Sequence, residues 1–374
     1  MRHLLLGSLP AVSLLTVVGV IGLAGPPPAI GQPSSSATFQ TPWGEPDLQG
    51  IWANDVSTPL ERPDRFGGKA ELNQEELASY TVEQQASREN RDLRDSDPGA
   101  VTDVGRAYNA LWFPVPGNPI ERTSLIVDPA NGRMPALTTQ ARERYAVWAG
   151  AMGLFNSGAD PRGNLWNGGW DPDMVALDGT EGGVDGRGSR ADNPEDRRFG
   201  ERCIMNYLPR FPGGYNNHFQ IVQSPGYVVI EHEMQHHVRV IPVDGSSHLP
   251  QHVRQWMGDS RARWEGDVLV VDTTNFTDKA PFKGSFDGLH LVERFRRVDA
   301  NTIDYEVTLS DPMTWESPWT VAYPLRALQS LMNGIDGMHI PQMFEYACHE
   351  GNYGLLGQLS GSRAVEQAEN TSSR

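Results

Sequence analysis

One carboxyl group stands within an apolar strand in the second half of the chain. The sequence Leu-His-Leu-Val-Glu-Arg-Phe has the two-residue alternation of a β-strand, which places four side chains on one face: Leu289, Leu291, Glu293 and Phe295. Apolar surroundings favour the uncharged form of a carboxyl group, which suits it to transfer a proton. We therefore predict Glu293 as a general acid or base. The alternatives are a buried ion pair with an arginine such as Arg263, or an edge position that meets solvent.

Two arginines precede this strand on the sequence Gly-Asp-Ser-Arg-Ala-Arg-Trp-Glu-Gly-Asp. In a strand, Arg261 and Arg263 share a face opposite Trp264, and paired guanidinium groups match a planar anion such as a carboxylate or phenolate. We predict that both stabilise negative charge developing on a substrate. The alternative is a cross-strand ladder of ion pairs with Asp272 and Glu293.

Histidines and aromatic residues complete the predicted site. A second acid–base group is expected from His248 or His349. Polar and aromatic residues at strand boundaries suit the mouth of a barrel, where ligand groups are presented. The predicted substrate-binding residues are Trp264, Tyr215, Asn217 and Tyr346.

A metal site is an alternative. His232 and His236 frame the pattern H-E-x-x-H, whose zinc chemistry needs a helix that presents both imidazoles on one face. Because β-branched residues flank the motif on both sides, we expect strands there and not a zinc protease of the helical kind. Barrel strands could still gather imidazoles around zinc or another divalent metal. The other interpretation is that the histidines at the strand ends are solvated and bind no metal. In that case no cofactor is expected.

The N-terminus has the pattern of an export signal. Arg2 and His3 precede an apolar run over residues 4–23, and small residues follow at Ala-Ile-Gly. We predict a signal peptide over residues 1–31, with a membrane anchor as the alternative. The cleaved protein is expected in the periplasm or outside the cell, with no stable membrane insertion. The net charge of −16 argues against nucleic-acid binding, which needs clustered basic residues.

Two cysteines, Cys203 and Cys348, lie in the exported part. In an oxidising compartment a lone pair is expected to form a disulfide. The alternative is two free thiols.

The composition and pattern predict a mainly β protein. The 39 glycines and 28 prolines favour many turns over a helical bundle. Asn73 followed by Glu76 predicts the N-terminus of a helix by capping-box spacing. Nine short strand-like runs predict an antiparallel lipocalin-like barrel or curled sheet: 218–223, 227–233, 237–243, 261–264, 268–272, 289–298, 302–309, 319–323 and 344–348.

This pattern divides the chain into segments. We predict a barrel domain over residues 201–363 and a disordered tail over residues 364–374. The preceding residues 32–200 are expected to form an extended arm, a few peripheral helices and a long Gly/Asp-rich loop, all packed on the barrel.

Three runs carry a resemblance to a known family: residues 43–52, residues 258–276, and Glu-Tyr-Ala-Cys-His-Glu-Gly-Asn-Tyr at 345–353. They resemble a large family of exported bacterial proteins of unassigned function, over nearly all of the mature chain. This resemblance implies export and supplies no catalytic residues.

These observations predict an exported enzyme of the lyase or hydrolase type. It would apply acid–base chemistry to a small aromatic or apolar molecule in a barrel pocket. One alternative is a lipocalin-like protein that binds a small-molecule ligand without chemistry. The other is a histidine-rich, metal-dependent hydrolase. The sequence leaves the oligomeric state open.

Overall fold

The structure is a computed structural model, and the residues it describes are 39–92, 117–143, 194, 202–204, 208–212, 216–278, 282–283, 285–332, 342–350 and 352–372. The predicted signal peptide and Tyr215 lie outside the described residues. So does the predicted Gly/Asp-rich loop, apart from a single residue.

Ten strands form one antiparallel sheet that is nearly closed into a barrel, which confirms the predicted fold class. Their order is β5-β4-β3-β1-β10-β9-β8-β7-β6, and β2 pairs with β10. The strands are β1 (Gly50–Ala53), β2 (Ile126–Asp128), β3 (His218–Ser224), β4 (Tyr227–His232), β5 (His237–Pro242), β6 (Asp259–Glu265), β7 (Val268–Thr274), β8 (His290–Arg297), β9 (Thr302–Ser310) and β10 (Trp319–Ala327).

Two runs of hairpins account for most of the sheet. Strands β3–β5 and β6–β10 each follow one another in sequence and in space, as consecutive antiparallel strands commonly do. Inward side chains from both runs form a single apolar core, which contains the fully buried Trp52 and Trp319. The barrel interior is therefore filled by large side chains around its polar groups.

The N-terminal arm contributes a strand to the sheet, which the prediction of a barrel domain over residues 201–363 did not include. Strand β1 lies between β3 and β10, and its Trp52 pairs with Phe219 on one side and Ala327 on the other. Trp52 is buried and its indole N–H donates to the carbonyl of Leu48 at 2.9 Å. The arm thus joins the two runs of hairpins.

The strand predicted over residues 344–348 is absent. Among the described residues this segment pairs with no strand, because side chains take up its backbone donors. The N–H groups of Phe344 and Tyr346 donate to the side chains of Glu233 and His236 and not to a neighbouring backbone.

Helix α1 (Gln74–Asp92) begins at the predicted capping box. The Asn73 side chain accepts the backbone N–H of Glu76 at 2.9 Å, and the Glu76 carboxylate accepts that of Asn73 at 2.8 Å. Helix α2 (Leu328–Met332) follows β10. Helix α3 (Tyr353–Ser372) occupies most of the predicted disordered tail. Among the described residues, no helix has the length and apolar character needed to cross a membrane.

Candidate functional site

Glu293 faces the barrel interior. It is 2% exposed and shares the inner face of β8 with Leu291 and Phe295, which confirms the predicted alternation. Arg239 of β5 donates to both carboxylate oxygens, from Nη1 at 3.1 Å and from Nη2 at 2.5 Å. The Tyr305 hydroxyl donates to the same carboxylate at 2.9 Å. Glu293 is therefore held by a bidentate ion pair, and its partner is Arg239 rather than Arg263.

Arg239 also bridges the two edges of the sheet. Strands β5 and β6 do not pair, yet Arg239 Nη2 lies 3.1 Å from Ser260 Oγ on β6 and 3.3 Å from Thr273 Oγ1 on β7. One guanidinium group thus joins β5 to the next three strands around the barrel. With both oxygens of Glu293 occupied and buried, the arrangement favours a structural ion pair over proton transfer to a substrate.

Two buried tyrosines stay protonated beside this ion pair. Burial raises the pKa of Tyr305 and of Tyr323, and the negative charge of Glu293 raises both further. Each hydroxyl can therefore donate: Tyr305 to Glu293, and Tyr323 to the carbonyl of Arg210 at 2.8 Å.

The two predicted anion-binding arginines lie on the outer face of β6 and do not meet Glu293. Arg261 forms an ion pair with Asp259 at 3.1 Å, and its Nε donates to the carbonyl of Ser247. Arg263 is exposed and pairs with Glu265. The alternation that turns Glu293 inward on β8 turns these two residues outward on β6, because Ser260 and Ala262 occupy the inner face.

His248 belongs to a polar group on the same outer face. Its Nδ1 lies 2.8 Å from Asp259, and its Nε2 lies 2.9 Å from Asp272. Asp272 also contacts Nε2 of His290 at 3.0 Å, and Nδ1 of His290 lies 3.5 Å from Ser310 Oγ. We call these five residues the histidine–carboxylate cluster. Strands β6 to β9 and the loop before β6 position it.

The side chains of the cluster are partly exposed, and their charges influence one another's pKa values. The side chains of His248, Asp272 and His290 are 28%, 31% and 42% exposed. Partial burial raises the pKa of Asp272, but the hydrogen bonds and charges of His290 and His248 outweigh it, so the pKa is lowered. The hydrogen bond to Asp272 raises the pKa of His290 despite partial burial. His290 can therefore carry a proton close to neutral pH.

The remaining predicted site residues are scattered. His349 is exposed and follows Cys348, far along the chain from the residues of the cluster. Asn217 accepts from Arg210 at 2.8 Å, and the Tyr346 backbone N–H donates to His236 at 3.0 Å. Trp264 packs against the inner core.

The H-E-x-x-H motif spans the end of β4 and a 3-10 turn (Met234–His236), as its β-branched flanks predict. His232 points into the barrel, whereas His236 is exposed. Because one ring points inward and the other is exposed, the two predicted ligands are not brought together. Within the part of the chain that the structure describes, no group of three or more His, Cys, Asp or Glu side chains has an arrangement that could hold a metal ion.

Cys203 and Cys348 form the predicted disulfide, with 5.7 Å between their Cα atoms. It joins the segment before β3 to the segment after β10. This Cα–Cα separation lies within the usual range for a disulfide.

Sequence reasoning missed His290, Ser310 and Arg239 as site residues. His290 and Ser310 are directly opposite one another in the β8–β9 ladder. Pairing these two predicted strands through their short turn could have placed them together. Arg239 left no comparable signal, because its contacts cross the unpaired edges of the sheet.

No protein-family model, curated protein or solved structure matches this chain. The function is therefore inferred from the geometry of the chain itself.

Proposed function

We propose that this protein is an exported small-molecule enzyme of the hydrolase or lyase type, and that the histidine–carboxylate cluster is its acid–base site. The observation that carries the proposal is His290. Asp272 holds its Nε2, while its Nδ1 lies beside Ser310 on a ring that is 42% exposed. An oriented, accessible imidazole next to a hydroxyl is a recurring arrangement for proton transfer.

The parts of the cluster have distinct roles in this proposal. Asp272 fixes the orientation of the His290 ring and stabilises its protonated form, leaving Nδ1 to exchange a proton with substrate. His248 lies between two acceptor carboxylates, Asp259 and Asp272, and satisfies both when each ring nitrogen carries a proton. Arg261, held by Asp259, adds positive charge at the edge of the site for an anionic substrate.

The disulfide supports export. A disulfide between Cys203 and Cys348 persists in an oxidising compartment, and the N-terminal pattern is that of a cleaved signal peptide. These two features support the proposal that the protein resides in the periplasm or outside the cell.

The test compares variants on a panel of 4-nitrophenyl esters and aryl β-elimination substrates, with product release followed by absorbance. We expect His290→Gln and Asp272→Asn to lower kcat/KM at least tenfold, since general acid–base catalysis contributes on the order of 100-fold or more. His252→Gln is the matched control, because His252 is an exposed loop histidine, and it should retain the wild-type rate.

Three outcomes would contradict the proposal. In the first, the wild-type chain turns over no member of the panel faster than buffer. In the second, folded His290→Gln and Asp272→Asn retain the wild-type rate. In the third, turnover depends on Glu293 but not on His290, which would move the chemistry into the barrel interior.

A further inference from the structure

Two disulfide-linked segments cover the turn between β4 and β5. We call them the stapled cap, meaning the described parts of residues 202–212 and residues 342–350. The contacts between the cap and this turn include three hydrogen bonds: His237 Nε2 lies 3.2 Å from the carbonyl of Ile204, and the backbone N–H groups of Phe344 and Tyr346 donate to Glu233 and His236. A covalently linked structure thus packs on this end of the barrel.

His232 lies beneath the cap with both ring nitrogens unused. Its side chain shares the interior with Phe219, whose ring centroid is 5.7 Å away. Nδ1 and Nε2 are both buried, and neither makes a hydrogen bond within the described structure. A neutral imidazole offers one donor and one acceptor, and burying both without partners is unfavourable unless something else supplies them.

Arg239 occupies the next inward position on the neighbouring strand. It pairs with Ile230, two residues before His232 in β4. The ends of its guanidinium group bind Glu293, while its Nε is buried and makes no hydrogen bond to a described residue. A second buried donor therefore lies close to the imidazole.

The surroundings of His232 are cationic. Burial lowers the pKa of His232 well below its usual range, and the positive charges of Arg210, Arg239 and His237 lower it further. Arg210 approaches from the cap, where it donates to Asn217 at 2.8 Å. Glu293 accepts from Nη1 and Nη2 of Arg239 and offsets part of that charge. The imidazole is thus neutral beside cationic groups, which favours an anionic ligand that accepts hydrogen bonds.

We propose that the barrel end beneath the stapled cap binds a small carboxylate, or the carboxylate end of a longer molecule, through His232 and Arg239. A carboxylate is planar, acceptor-only and negatively charged, and it can take the imidazole N–H and the guanidinium Nε–H together. The adjacent Phe219 ring offers an apolar surface to the rest of the ligand. This site is separate from the histidine–carboxylate cluster, which lies on the outer face.

The test uses the full mature chain with isotopically labelled histidine, titrated with sodium acetate and followed by NMR. Acetamide is the uncharged control of the same shape, and sodium chloride controls for ionic strength. We expect the His232 ring signals to shift and saturate with acetate, and to stay unchanged with acetamide and with chloride. His232→Phe, which keeps a planar ring but removes both nitrogens, assigns the signals.

Measurements of acetate affinity in variants provide a second test. We expect His232→Phe to weaken acetate binding at least tenfold, which corresponds to about 1.4 kcal/mol. His252→Phe makes the same change on an exposed loop and should leave the affinity unchanged. His290→Gln should also leave it unchanged, which separates this site from the proposed acid–base site.

The proposal is overturned if acetate and acetamide shift the His232 signals equally, or if no shift saturates, because a buried water would then account for the unused nitrogens. It is also overturned if folded His232→Phe binds acetate as well as the wild type. Should that variant fail to fold, the comparison of acetate with acetamide on the wild-type chain decides the question by itself.

Discussion

The buried ion pair between Glu293 and Arg239 makes a measurable prediction about stability. Glu293 accepts from both guanidinium nitrogens and from the Tyr305 hydroxyl, and its side chain is 3% exposed. Glu293→Gln removes the negative charge and turns an amide N–H₂ toward a donor-only guanidinium group. Arg239 would then be buried without its counter-charge, and a cation in that position is costly.

We expect this substitution to reduce the free energy of unfolding by about 3–5 kcal/mol, the usual loss when one partner of a buried ion pair is removed. The assay is urea denaturation at neutral pH, followed by the fluorescence of buried residues such as Trp52 and Trp319. Urea is preferred to guanidinium chloride because it leaves the ionic strength unchanged.

Two other variants serve as comparisons for the loss of stability in Glu293→Gln. Glu265→Gln also removes a glutamate that pairs with arginines, but on the exposed outer face, so we expect a much smaller loss. The double variant Glu293→Leu with Arg239→Met removes both charges, and it should be more stable than Glu293→Gln alone. If Glu293→Gln lowers the free energy of unfolding no more than Glu265→Gln does, this ion pair does not hold the barrel closed.

Two further predictions concern pH and backbone geometry. Because the pKa of His290 is raised above 6.5 and that of Asp272 is lowered below 3.8, their contact stabilises the fold between those values, and the contribution declines as pH rises through the folded pKa of His290 or falls through that of Asp272. The stability difference between wild type and His290→Gln, measured by thermal unfolding, should therefore shrink as the pH rises from below 6.5, the ordinary pKa of histidine, to about pH 9, and a constant difference would contradict the coupling. Gly258 and Gly266 both have φ near +70°, at +69° and +66°, but a Cβ on Gly258 would lie 2.6 Å from the Thr274 carbonyl oxygen, whereas one on Gly266 has nothing within 4 Å. Gly258→Ala should lower the Tm clearly more than Gly266→Ala, and equal losses would show that the close approach does not constrain the chain.

The candidate site was only partly predictable. Alternation correctly turned Glu293 inward, since its period of two is a local property of a strand. His248 was singled out, but its partners Asp259 and Asp272 come from different strands. For Arg261 and Arg263 to act beside Glu293, all three side chains would have to lie on the same face of the sheet. Alternation alone does not say which face of each strand points inward.

The amino-acid sequence determined the antiparallel hairpins and the capping box at Asn73, because both depend on neighbouring residues. It also determined the disulfide, because two cysteines can pair within the chain in a single way. Tertiary structure alone decided that the N-terminal arm supplies β1 between β3 and β10, and that Arg239 reaches Glu293 across the unpaired edges. Both depend on how a curved sheet closes on itself. Closure is set by the packing of the whole core, and no short stretch of sequence specifies it.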